Sequence, residues 1–122
     1  MDDFHTSQPI FVQIRQRLIE MILRGAVGEG DALPSVRQIA GELSVNPLTV
    51  TKAFEALVDV GVVEKRRGLG MFVKTGARVE LLAHEREKFL KEEWPRIAAQ
   101  IKALDLDVNT LLSTSPAQGA EQ

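Results

Sequence analysis

Apolar residues recur along the first half of the chain at the three- and four-residue spacing of helices laid against a core. In PIFVQIRQRLIEMILRG, Ile10, Ile14, Leu18, Met21 and Ile22 share one side, Pro9 suits the first helical position and Gly25 the stop. AVGEGDALP follows and reads as a loop. SVRQIAGEL then sets Ser35 and Gln38 at capping-box spacing, with Ile39, Ala40 and Leu43 on its inner face. After a turn at 44–46, Val50, Ala53, Phe54 and Leu57 fall at i, i+3, i+4 and i+7, and Gly61 marks the end. Pro47 starts this third helix: Asn46 caps it and the first position needs no N–H.

The period then changes. VVEKRRGLGMFVK has short β-branched or aromatic runs flanking RRGLG, the pattern of a two-stranded hairpin with glycines where φ must be positive. Helical spacing returns around Val79 and persists to about Leu112. Within it, Leu90, Trp94, Ile97, Ile101, Leu104, Val108 and Leu111 form a heptad-like seam. Pro95 and the DLD at 105–107 cut across that seam, the latter as a stop and a new N-cap, which predicts two helices and a short terminal one. Such a stripe can pack on the N-terminal part or meet a second copy of the chain; the second is the expectation. The expected organisation is a flexible 1–8, a domain over 9–76, a short helical dimerisation segment over 77–113 and a polar tail over 114–122.

Composition narrows the function. The chain has 122 residues, 44% of them apolar and 26% charged, enough for one ordinary domain with a small appendage. It has no cysteine, no signal-peptide pattern at its start and no apolar run approaching a membrane span, so a cytoplasmic location is expected. The net charge of -2 is unevenly spread: Lys65, Arg66, Arg67, Lys74 and Arg78 occur over 65–78 with no acidic residue among them. Local charge decides phosphate contact, because screening acts over roughly 8–10 Å.

Helix, short turn, helix and a basic, glycine-tipped hairpin make a winged helix-turn-helix, in a fold that is mainly α with a small β-hairpin. The second helix of such a unit enters the major groove by its N-terminal end. With Val50, Ala53, Phe54 and Leu57 turned inward, Leu48 and Lys52 point outward and Thr49 and Thr51 flank them. Glu55 and Asp59 follow further along. Hydroxyls and a cation therefore sit where the helix dipole favours phosphate, and carboxylates where they repel it.

PIFVQI, LPSVRQIA, VNPLTVTKAFEALVDVGVVE and RRGLGMFV, in that order over residues 9–73, resemble the DNA-binding domain of the GntR family of bacterial transcription regulators. The short helical C-terminal part resembles the YtrA-like subfamily, which dimerises through such a segment and lacks the larger effector domains. The resemblance implies that Arg37, in LPSVR, contacts DNA backbone or a base edge, that Thr49 touches phosphate, and that Arg67 and Gly68 form a wing tip reaching the minor groove. Pro47 and Thr51 stand where some relatives place base-reading arginines, so those relatives' sequence preference does not carry over. A dimeric repressor on a near-palindromic operator, controlling an ABC transporter operon, is what the resemblance implies.

The expected DNA contacts are Ser35, Arg37, Leu48, Thr49, Thr51, Lys52, Arg66, Arg67 and Gly68. Arg37 has the alternative of an ion pair with Glu42, and Asn46 is first a cap. Leu48 is open between a thymine-methyl contact and a turn contact with the preceding helix. Three adjacent cations, Lys65 to Arg67, repel one another unless something anionic is met. The expected dimer interface is Leu82, Phe89, Leu90, Trp94, Ile97, Ile101 and Leu104. The partners expected are double-stranded DNA and a second copy, with no membrane, no cofactor and no metal: His5 and His84 lack companions at ligand spacing, and GLG is followed by no helix. Asp105 and Asp107 have no base or nucleophile beside them, so enzyme chemistry is not expected. The rival reading is a winged-helix module whose wing meets an acidic protein surface.

Overall fold

The computed structural model describes residues 8–114. Within them the chain forms α1 (Ile10–Leu23), α2 (Val36–Leu43), α3 (Pro47–Asp59), β1 (Val63–Arg66), β2 (Gly70–Val73), α4 (Ala77–Lys88), a π-helical turn (Phe89–Glu93), α5 (Trp94–Ala103) and α6 (Val108–Ser113). The fold is mostly helical with one antiparallel hairpin. It divides into two units, one reaching to Ala83 and one beginning at His84.

Helix starts follow local side-chain chemistry. Ser35 Oγ accepts from the Gln38 N–H at 3.0 Å, and Asn46 Oδ1 from the Leu48 N–H at 2.8 Å, with Pro47 in the first turn of α3. Between α2 and α3, Ser44 takes a left-handed φ of 56° and turns the chain. α1 departs from expectation: Pro9 is its N-cap and Ile10 its first residue, because Pro9 is extended (ψ 147°) and its carbonyl accepts from Val12 and Gln13. Ile10 is then 43% exposed at the open end of the helix, and the inward positions begin with Gln13 and Ile14. Buried Gln13 donates its Nε2 hydrogen to the Gln8 carbonyl at 3.0 Å, which offsets the cost of burying an amide.

α3 is the centre of the first unit and packs on α1, α2 and β1. Its inward residues Val50, Ala53, Phe54 and Leu57 are at most 2% exposed. Ile14, Leu18, Ile19 and Ile22 of α1, Ile39 and Ala40 of α2, and Val62, Val63 and Val73 around the hairpin complete one core. Each large side chain removed from water there contributes about 1.5–3 kcal/mol.

AVGEGDALP is more than a loop. The Leu33 N–H donates to the Met71 carbonyl at 2.8 Å, Gly30 to Val73 at 2.8 Å, and Val73 to Asp31 at 2.9 Å, with Ala32 opposite Phe72. β2 thus pairs along both edges, with β1 in the register Val63↔Val73 and Lys65↔Met71 on one side and with this strap on the other. Glycines and a proline around so short an extended piece conceal it, since the pairing depends on a partner distant in sequence.

Helical structure resumes at Ala77, and the first unit does not stop at position 76: Ala77 and Leu81 are buried in the same core. The Glu29 carboxylate accepts from the Arg78 N–H at 3.3 Å, and Arg78 Nε donates to the Leu23 carbonyl at 2.9 Å, fastening the start of α4 to the end of α1.

In the second unit Pro95 does not end the helix. The π turn runs directly into α5, with the Trp94 N–H bonding to the Phe89 carbonyl, and Pro95 falls in the first turn of α5, where its missing N–H is tolerated. α5 stops at Ala103, Asp105 turns the chain at a φ of 57°, and Asp107 Oδ2 accepts from the Thr110 N–H at 3.1 Å to start α6. The seam is therefore shared by the π turn, α5 and α6. Of the expected flexible ends, positions 1–7 and 115–122 lie outside the described residues.

The N–H groups of Gly76 and then Arg78 hold the Glu29 carboxyl below its ordinary value of 4.5, against the opposing effect of desolvation and with the Arg78 charge contributing least. A lowered folded-state pKa means stability that is present above the unfolded value and lost as pH falls through the folded one. Glu29→Gln should therefore lower the thermal midpoint at neutral pH, and its gap to wild type should close on acidification below pH 4.5. A gap that does not change with pH would show that the charge contributes nothing.

Candidate nucleic-acid interface

The first turns of α3 present the residues expected to read DNA. Leu48 is 76% exposed, so it is not packed into a contact with α2. Thr49 and Thr51 are half-buried and Lys52 is exposed, as are Glu55 and Asp59 further along the helix. Lys52 Nζ lies 4.2 Å from the centroid of the Phe11 ring, so a residue of α1 braces the recognition-helix cation. Asn46 spends its side-chain oxygen on the Leu48 N–H and is structural first.

On α2, the Ser35 oxygen accepts the cap hydrogen bond, which leaves its O–H free to donate outward. Arg37 is exposed and, among the described residues, has no ion-pair partner; the pair with Glu42 does not form. The wing turn is closed by the Leu69 N–H on the Arg66 carbonyl at 2.8 Å, with Gly68 at a φ of 77° that favours glycine. Arg67 and Gly68 are exposed at this tip.

Arg66 corrects the argument from repulsion. Its Nε lies 2.9 Å from Glu64 Oε2, and its guanidinium carbon stands 4.1 Å from the Phe72 ring centroid. Strand alternation places Glu64 and Arg66 on one face and Lys65 on the other, so the three cations do not form one cluster. The i, i+2 spacing of Glu64 and Arg66 in a strand was the signal that could have revealed the pair. Sequence reasoning also passed over Leu69, which is 70% exposed at the tip, and Phe11 beneath Lys52.

All the expected DNA contacts lie in the first unit. α2 and α3 pack together, α3 packs on β1, and the strap bonded to β2 ends one residue before Pro34 and the Ser35 cap, which ties the start of α2 to the wing. The expected dimer residues are placed otherwise. Leu82 is half-buried in the first unit; Phe89, Leu90, Trp94 and Leu104 are exposed and Ile97 and Ile101 half-buried in the second. Phe89 and Trp94 approach at 6.3 Å between ring centroids, through the wide π turn. Among the described residues no acidic, histidine or cysteine cluster could hold a metal, and no helix is long and apolar enough to cross a membrane. His5 lies outside the described residues.

A capped helix-turn-helix whose second helix offers hydroxyls and a cation at its start, joined to a glycine-tipped basic wing, defines a winged-helix DNA-binding protein. Residues 11–73 match the bacterial regulatory proteins of the gntR family, and the chain belongs to that family of DNA-binding, non-enzymatic transcription regulators. It is similar to the HTH-type transcriptional repressor YtrA of Bacillus subtilis, 35% identical over 107 residues covering 88% of this chain and 76% of that protein. It is also similar to the HTH-type transcriptional regulator YhcF of the same organism, 32% identical, covering 91% of this chain and 90% of YhcF. Among solved structures, a GntR family transcriptional regulator from Listeria monocytogenes superposes with a TM-score of 0.70 at 29% identity, over 90% of this chain and 95% of that one. The similarity to YtrA thus extends beyond the winged unit.

Glu64→Gln frees Arg66 from an exposed ion pair worth under about 1 kcal/mol and removes a carboxylate from the wing. Affinity for duplex DNA at low salt should rise, by no more than about fivefold, in a fluorescence anisotropy titration. An unchanged or weaker affinity would mean that Arg66 does not meet DNA.

Proposed function

We propose that this regulator is a repressor that binds a near-palindromic operator as a homodimer, with the first unit reading DNA and the second joining the copies. The observation that carries the reading is the start of α3, where Leu48, Thr49, Thr51 and Lys52 surround a capped, positively polarised helix end and the acidic residues stand further back. Arg37 and Arg67, exposed and without ion-pair partners among the described residues, supply phosphate or base-edge contacts on either side. The two recognition helices occupy successive major grooves, roughly 34–36 Å apart. The repressor assignment follows the name of the relative YtrA. Control of an ABC transporter operon rests on the YtrA-like resemblance alone.

Selection from random duplexes should recover an inverted repeat. Arg67→Ala should weaken binding to specific and unrelated duplexes alike and reduce the slope of log affinity against log salt by about 1. Undetectable duplex affinity at low salt would end the DNA-binding reading.

The homodimer is supported by what the second unit leaves in water. None of its described residues is buried, and Leu90, Leu104 and Leu112 are each at least 60% exposed. Apolar surface of that extent on so small a unit is stabilised by a partner, and the seam suits a second copy. Trp94→Glu combined with Leu104→Glu should convert a sedimenting dimer into a monomer. A dimer that persists would place the interface elsewhere.

A further inference from the structure

Leu69 stands 70% exposed at the wing tip, and neither the core nor the phosphate contacts account for it. Its N–H is committed to the Arg66 carbonyl, so the turn holds its backbone in place. Gly68 and Gly70 flank it, both at positive φ and both with open space where a Cβ would stand. The tip is therefore thin, and over 67–70 only Arg67 and Leu69 carry side chains. An aliphatic group gains nothing from a phosphate, but it gains from the floor of a groove.

The minor groove is only about 6 Å wide, which admits a narrow edge of this kind. At A·T pairs its floor lacks the guanine N2 amine, which leaves room there for an aliphatic group. At G·C pairs the amine would be covered by an aliphatic group that offers it no acceptor. We propose that Leu69 is a specificity-determining residue, whose side chain enters the minor groove beside each half-site and requires A·T pairs there. This rests on the DNA-binding reading above.

The test uses the full chain and the operator recovered by selection. Base pairs flanking each half-site are replaced by inosine·cytosine, which keeps the A·T minor groove and alters the major groove, or by diaminopurine·thymine, which adds the minor-groove amine. Wild type should keep its affinity on inosine·cytosine and lose roughly tenfold on diaminopurine·thymine. Leu69→Ala should bind both alike, Leu69→Met should restore the discrimination, and Arg67→Ala should lose affinity equally on both. Discrimination that survives in Leu69→Ala, or wild type that ignores the amine, overturns the assignment while leaving DNA binding intact. Absence of wild-type affinity for any duplex removes the DNA-binding reading itself, and this inference with it.

Discussion

The hydrogen bonds that join the strap at 30–33 to β2 are the constraint on which the DNA-directed half of the molecule depends. A two-stranded hairpin is marginal in water by itself, and a third extended partner is what lets so short a wing keep its shape. Because Pro34 and Ser35 follow directly on the strap, the same bonds set where α2 begins. α3 is then placed by its packing on α2, α1 and β1. Wing and recognition helix are thus positioned by one backbone network and one apolar core.

Electrostatics are arranged just as locally. A chain of net charge -2 can still present local positive charge, because its cations are distributed by element rather than in bulk. Lys52 is braced on Phe11 and Arg66 on Phe72 and Glu64, while Arg37 and Arg67 remain uncommitted. Braced cations lose less freedom on meeting a ligand, and uncommitted ones gain most from it. Helices and wing thus each carry one fixed and one uncommitted cation: Lys52 and Arg37 on the helices, Arg66 and Arg67 on the wing.

Most of the fold was legible because its signals are local. Ser35 with Gln38, Asn46 with Pro47, and Asp107 with Thr110 act within three residues, and the inward face of α3 follows directly from helical spacing. What stayed hidden depends on the folded chain: the strap needs Met71 and Val73, and the Lys52 contact needs Phe11 from another helix. The position of Ala77 and Leu81 was hidden for the same reason, since a helix long enough to serve two units shows no boundary in its periodicity. Glu64 with Arg66 is the exception, a local pair concealed by attention to charge alone.

The π turn at Phe89–Glu93 has a consequence for how such a helix diversifies. Relative to an α-helix it holds one additional residue per turn, the geometry left when a single residue is inserted into an uninterrupted helix. Because the widened turn rotates less per residue than the roughly 100° of an α-helix, it takes up the extra residue locally and the faces after it keep the direction set before it. Gain or loss of one residue there can be taken up inside the turn, so the helix can change length by the smallest possible step while the apolar face of α5 keeps its direction.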